Sequence, residues 1–173
     1  MPEPIEIIEM KKNFENSEYV LKTVKENGKL LEFASDELRN DRNIVLEAVK
    51  NNPEALEFAS DKLKEDREIV YESVSKLGWT YCYAKGKLLK DKQLLLSGLK
   101  VNGQILYYSN LEMRNDKELV KIAVENKPII IKYASKRLKE DKEIGLIAIN
   151  KDKSCFKFLG EKLKQDEEIK SLS

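Results

Sequence analysis

Apolar residues along this chain fall into a block pattern that restarts every 25 residues. With Asp41, Asp66, Asp91, Asp116 and Asp141 as first positions, units 41–65, 66–90, 91–115, 116–140 and 141–165 follow one another without an insertion. An earlier copy, 16–40, opens on Asn16, and a partial one, 166–173, closes the chain. Positions four, five, eight and nine are largely apolar, as in Ile44, Val45, Ala48 and Val49, which is the spacing of one helical face. A second apolar set lies at positions fifteen, sixteen, eighteen, nineteen and twenty-three. Position eighteen is aromatic in every copy: Phe33, Phe58, Tyr83, Tyr108, Tyr133 and Phe158. Self-similarity at so short a period marks a stacked repeat protein.

The columns predict two short helices per unit. Asp41, Asp66, Asp91, Asp116 and Asp141 suit helix N-caps, each carboxylate accepting an N–H of the first turn. Glu68, Glu118 and Glu143, two residues on, suit the positive end of the helix dipole. Asn27-Gly28, Asn52-Pro53 and Asn102-Gly103 then break the helix, with glycine expected as a left-handed stop and proline as the opening of the second helix. Ser35, Ser60 and Ser135 at position twenty predict a re-capping there, so that the second helix ends in a 3₁₀ turn. Helices of about ten residues are marginal alone in water and persist by burying their apolar faces on neighbours. The fold class is therefore all-α, an α-solenoid of six 25-residue two-helix repeats. Residues 1–15 are expected to form an N-terminal capping segment, with Ile5, Ile7, Ile8, Met10 and Phe14 covering the first repeat. The recurrence of the position-eighteen aromatics beside Ala34, Ala59, Ala84 and Ala134 predicts that they are core rather than a ladder for stacking bases.

Composition narrows the function more than it names it. Against 32 basic residues stand 31 acidic ones, a net charge of +1, distributed as −5 over 1–65, +8 over 66–165 and −2 over 166–173. No apolar run is long enough for a membrane span or a signal-peptide core, and a cytoplasmic location is expected. Cys82 and Cys155 lie in non-adjacent repeats, which predicts two free thiols. The chain has no histidine, which removes Ser-His-Asp and Cys-His pairs, histidine-ligated metals and the commonest general base near neutral pH. No phosphate-binding glycine loop exists, and the periodic aspartates head separate helices, too far apart to share one ion. No enzyme, cofactor or metal is expected.

Side chains that break a polar column are the candidates for binding. Position fourteen reads Lys29, Glu54, Trp79, Gln104, Ile129 and Ser154; position seventeen reads Glu32, Glu57, Cys82, Tyr107, Lys132 and Lys157. Residues three apart share a helix face, so Trp79, Cys82, Tyr107 and Ile129 interrupt a hydrophilic one. Trp and Tyr are enriched at binding hot spots, though the alternative is that the third repeat buries them. A second candidate is a basic edge at the inter-repeat turns, Arg42, Arg67, Lys92, Lys117 and Lys142, which could track phosphates. Interleaved acids and near-neutral charge argue against it.

Asp66-Arg67-Glu68-Ile69-Val70, Ala48-Val49-Lys50, Asn52-Pro53, and Ala55-Leu56-Glu57-Phe58-Ala59-Ser60 through Leu63-Lys64 resemble the repeats of the family catalogued as domain of unknown function 4116. The resemblance covers about 16–169, and a looser one exists to leucine-rich variant repeats, which alternate α and 3₁₀ helices. It implies architecture only, since that family carries no established catalytic residues to transfer. Leu77, Lys85, Gly86, Gly98 and Lys153 depart from the pattern and mark where packing is expected to be uneven. The expected function is a non-enzymatic, monomeric scaffold for protein–protein interaction. Polyanion or nucleic-acid binding through the basic edge, and a structural spacer within a larger assembly, are the alternatives.

Overall fold

An aspartate, a ten-residue α-helix and a six-residue 3₁₀ helix make up the working unit of the structure, a computed structural model that describes residues 4–172. Met1, Pro2 and Glu3 of the expected capping segment, and Ser173, lie outside the described residues. The α-helices are α1 (Ile5–Lys12), α2 (Ser17–Glu26), α3 (Arg42–Asn51), α4 (Arg67–Lys76), α5 (Lys92–Val101), α6 (Lys117–Asn126), α7 (Lys136–Lys139), α8 (Lys142–Lys151) and α9 (Glu167–Leu172). No strand occurs among the described residues, and the chain is an all-α, solenoid-like repeat protein.

The caps are formed by side chains. Asp41, Asp91, Asp116 and Asp141 accept from the N–H of Ile44, Leu94, Leu119 and Ile144 at 3.0–3.2 Å, and Asp66 accepts from both Glu68 and Ile69. Each satisfies a donor that the first helical turn would otherwise leave unpaired.

The second helix differs from expectation. Gly28–Phe33, Pro53–Phe58, Gly78–Tyr83, Gly103–Tyr108, Pro128–Tyr133 and Lys153–Phe158 are 3₁₀ throughout, not α-helices ending in a 3₁₀ turn. They are entered tightly: Asn27, Asn52 and Asn102 sit in extended backbone (φ −144, −137 and −147°), and each side-chain carbonyl accepts the N–H two residues on. The first i→i+3 bond follows at once, as in Ala55 N–H to Asn52 O at 3.0 Å. Six residues is long for a 3₁₀ helix, and burial of one side against α-helices offsets the poorer hydrogen-bond geometry. Three residues per turn arrange each helix in three rows. Positions sixteen and nineteen are the core row, for instance Leu56 and Ala59, while positions fourteen and seventeen face outward. Position fifteen is buried but position eighteen, one turn nearer the rim, is not. Five of the position-eighteen aromatics are half-buried and Tyr108 is 53% exposed, so the expectation that this column is core is wrong.

Glycine does not stop the first helix either. Gly86 (φ 58°) is the one described residue with positive φ. Gly28 and Gly103 are required for a different reason: a Cβ there would run into the backbone carbonyl of Ala48 or Ala123 in the next repeat. The capping segment also differs from expectation. Met10 is fully buried and Ile7 half-buried, but Ile5 and Ile8 stay exposed, because an eight-residue helix can turn only one narrow stripe inward, and Phe14, beyond the end of that helix, is exposed as well.

The described chain divides into two compact units, Met1–Leu88 and Leu89–Ser173, and the same joints between neighbouring repeats recur within each. The first joint matches position thirteen to position eleven of the following helix. Where thirteen is Gly28 or Gly103, the next helix supplies Asn51 or Asn126, whose side-chain oxygen accepts the glycine N–H at 2.8 and 2.7 Å. Where thirteen is Pro53 or Pro128 there is no N–H to satisfy, and the next helix supplies Lys76 or Lys151. These donate instead to the carbonyls of Lys50 and Glu125.

The second joint is a backbone bond from position twenty to position twenty-four of the preceding repeat. It joins Ser60 N–H to Arg39 O, Lys85 to Lys64, Ser135 to Arg114 and Gly160 to Lys139, all at 2.9–3.0 Å. Ser35 makes the same bond to Phe14, so the capping segment continues the register. Side chains reinforce it in two ways. Ser60 and Ser135 donate to Asn40 and Asn115 at 2.7 Å, whereas beside Gly160 the carboxylate of Glu140 occupies the space and accepts Leu163 N–H at 2.8 Å.

The third repeat differs in its core, at positions other than the departures Leu77, Lys85 and Gly86. Ser73 and Thr80 are fully buried with hydroxyls 2.7 Å apart, each reaching a carbonyl (Pro53 and Leu77) at 2.8 Å, and Tyr81 replaces the usual aliphatic residue at position sixteen.

Asp91→Ala and Asp116→Ala should each lower stability by about 0.5–2 kcal/mol, while Asp116→Asn, which keeps an acceptor for Leu119, should cost less than Asp116→Ala. Urea midpoints check the ranking. Gly103→Ala should cost about 1–3 kcal/mol through overpacking against Ala123, and an unchanged midpoint would show that the two repeats can move apart.

Candidate interaction surface

The outward row of the 3₁₀ helices carries the candidate side chains. In the first unit, Trp79 is half-buried and Cys82 exposed on Gly78–Tyr83. The Trp79 ring meets Tyr83 edge-on, centroids 5.5 Å apart at 64°. Tyr83 is tied down in turn: burial and a hydrogen bond to Glu57 push its phenol well above the ordinary tyrosine range, and Lys64 lies over its ring at 5.9 Å. Burial and the nearby Glu57 carboxylate raise the Cys82 thiol, and burial pushes Cys155 up to about 11. Both are protonated near neutral pH and poorly suited to act as nucleophiles.

The second unit carries the other two candidates. Tyr107 is 49% exposed on Gly103–Tyr108 and packs against Tyr108 at 5.2 Å and Tyr133 at 4.9 Å, with the Arg114 guanidinium over its ring at 5.9 Å. Arg114 also donates to the Tyr107 carbonyl. Ile129 is half-buried on Pro128–Tyr133. Column spacing alone had missed Tyr108, Tyr133 and Leu111, the last 80% exposed. An α-helical period places position eighteen with the core; only a period of three brings it to the rim beside position seventeen.

The basic edge is not a free stripe. Lys92 lies 2.7 Å from Asp116 and 2.9 Å from Glu118, Lys117 lies 2.8 Å from Asp141 and 2.9 Å from Glu143, and Lys142 lies 2.9 Å from both Asp166 and Glu168. Arg42 forks in the same way between Asp66 and Glu68. Arg67 lies over the Tyr71 ring at 5.8 Å. The position-two cation thus links each of these repeats to the next, and the Asp that receives it also caps a helix. Partial burial pushes the Asp116 and Asp141 carboxyls up, but the lysine ammonium and the helix N–H together hold them below the ordinary range. Glu143, between Lys121 and Lys117, falls to about 2. A shallow depression beside the Lys92–Asp116 pair is lined by Lys90, Asn110, Glu112 and Met113. No group of three or more potential metal ligands converges among the described residues.

Repeats of this spacing and geometry match a known family model over residues 16–64, 66–114 and 116–164, each match spanning two 25-residue copies. The chain belongs to the family described as domain of unknown function 4116. No curated protein and no solved structure matches it. In this member of domain of unknown function 4116, no helix among the described residues is long and apolar enough to cross a membrane.

The ladder sets an acid limit on this domain-of-unknown-function-4116 array. Carboxyls held below their ordinary values stay ionised in the folded chain while those of the unfolded chain take up protons. Stability should therefore be fully present above about pH 4.5 and fall progressively toward pH 2. Urea midpoints at pH 6, 4 and 3 check it, and Lys117→Gln should flatten the decline.

Proposed function

We propose that this chain is a non-enzymatic, monomeric, cytoplasmic scaffold that binds another protein through the outward row of its 3₁₀ helices. The observation that carries the reading is the placement of large aromatic and aliphatic side chains, exposed at Tyr107 and half-buried at Trp79 and Ile129, in columns that other repeats fill with polar ones. Tyr107 stands where the fold also accepts Glu32, Glu57, Lys132 and Lys157, and Trp79 stands where it accepts Lys29, Glu54 and Ser154. Packing does not require them there. The family supports a repeat architecture without an assigned activity, and the raised thiols together with the lack of histidine leave little for catalysis. The basic-edge alternative loses support because Arg42, Lys92, Lys117 and Lys142 are engaged between repeats.

Cross-linking of the chain in an extract of its native cell tests the proposal. Wild type should capture a defined protein, and Trp79→Ala or Tyr107→Ala should reduce the capture. Each substitution should cost less stability than the ~3–5 kcal/mol expected for truncating a fully buried aromatic. Capture unaffected by both would remove the outward row from the binding surface.

A further inference from the structure

The position-two cations of the second unit and those on its 3₁₀ side differ in their partners. Those at position two are held by carboxylates of the following repeat, as described above. On the 3₁₀ side Lys164 pairs only with Glu161 of its own repeat, and Lys132, Lys136, Arg137, Lys139 and Lys157 have no carboxylate within ion-pair distance among the described residues. The segments 104–114, 129–139 and 154–164, which are equivalent stretches of three successive repeats, together carry eight cations and two acids. The same stretches of the first two repeats, 29–39 and 54–64, carry four cations and six acids, so the excess is not imposed by the fold. On this basic side lie the exposed rings of Tyr107 and Tyr108 and the exposed Leu111.

We infer that the 3₁₀ side of the second unit binds an extended acidic segment of a partner protein, with carboxylates meeting the unpaired cations and intervening apolar side chains lying on the tyrosines. This deepens the scaffold reading and rests on it. Charge complementarity selects the sign of the partner, and ring geometry selects its class. A single-stranded nucleic acid would need open ring faces on which to stack its bases. Here Lys132 covers Tyr133 at 4.7 Å, Lys157 covers Phe158 at 5.0 Å, and Tyr107 is packed between Tyr108, Tyr133 and the Arg114 guanidinium. Ring edges and hydroxyls remain, which suit aliphatic side chains and backbone carbonyls. Spacing adds a constraint. Packed repeats are about 8–10 Å apart and an extended chain advances about 3.3 Å per residue, so an acidic residue at every third position keeps step with successive repeats.

The test uses the full chain and three labelled probes: a peptide of about twelve residues repeating Asp-Leu-Pro, its Lys-Leu-Pro counterpart, and a uridylate oligonucleotide of about the same length. Fluorescence anisotropy should show binding of the acidic peptide alone, weakening as salt rises. Lys132→Glu combined with Lys157→Glu should reduce its affinity by about tenfold or more, whereas Lys22→Glu in the first unit should leave it unchanged; circular dichroism verifies that the variants remain folded. Preference for the oligonucleotide, no binding of the acidic peptide, or equal loss with Lys22→Glu would each overturn the inference. If the acidic peptide fails while cross-linking still captures a protein sensitive to Tyr107→Ala, the acidic-segment inference falls and the scaffold reading stands. If capture ignores the outward row as well, both fall.

Discussion

The structure depends on a carboxylate that belongs to two repeats at once. One oxygen of Asp116 accepts the Leu119 N–H and starts α6, while the other receives Lys92 from the preceding copy. Asp66 and Asp141 are used the same way. A helix of ten residues has little stability of its own. Coupling its nucleation to contact with a neighbour means that order in one repeat favours order in the next. The repeat period follows from the same arrangement, because a residue inserted between cap and cation would separate groups that now lie 2.7–2.9 Å apart.

Much of the fold could be read from the columns. Asp at position one, the apolar face at four, five, eight and nine, and the length of the first helix need only local rules, and Asp41, Asp91 and Asp141 accept the predicted N–H groups. The second helix was less legible. Asn-Gly reads ordinarily as a left-handed stop, but Gly28 lacks a side chain because of what Ala48 in another repeat places against it. That constraint is tertiary and leaves no local trace. The 3₁₀ period was likewise hidden, since apolar residues at fifteen, sixteen, eighteen and nineteen satisfy either helix over six residues. An α-helical period would put Tyr108 and Tyr133 in the core, whereas the 3₁₀ period puts them at the rim.

The candidate surface was legible only where a column changed character. Trp79, Cys82, Tyr107 and Ile129 stand out against polar residues at equivalent positions. Lys132 and Lys157, unremarkable in sequence, gain significance because the position-two cations of their unit have carboxylate partners and these do not. The opposite fate befell the position-two cations, whose even spacing suggested a track for an anionic ligand but serves the stacking itself. Regular recurrence in a solenoid points first to what the scaffold needs; function is better sought in departures from it.

The joints between repeats have a longer rhythm than the repeats. Gly28 with Asn51 is followed by Pro53 with Lys76; 75 residues later, Gly103 with Asn126 is followed by Pro128 with Lys151. Asn40 and Asn115 recur at the same distance, as do Glu65, whose carboxylate lies against Gly86, and Glu140, whose carboxylate lies against Gly160. Donor and acceptor sit on different copies, so a copy moved elsewhere in the array carries half of each joint and meets an unmatched half. Copies that look interchangeable by their apolar columns are therefore ordered by their polar ones. The smallest block that can be duplicated or exchanged with its internal seams intact is a run of three, and the division at Leu88 and Leu89 falls close to the boundary of two such blocks. Growth of an array of this kind would proceed by whole triplets, each carrying both halves of its internal joints.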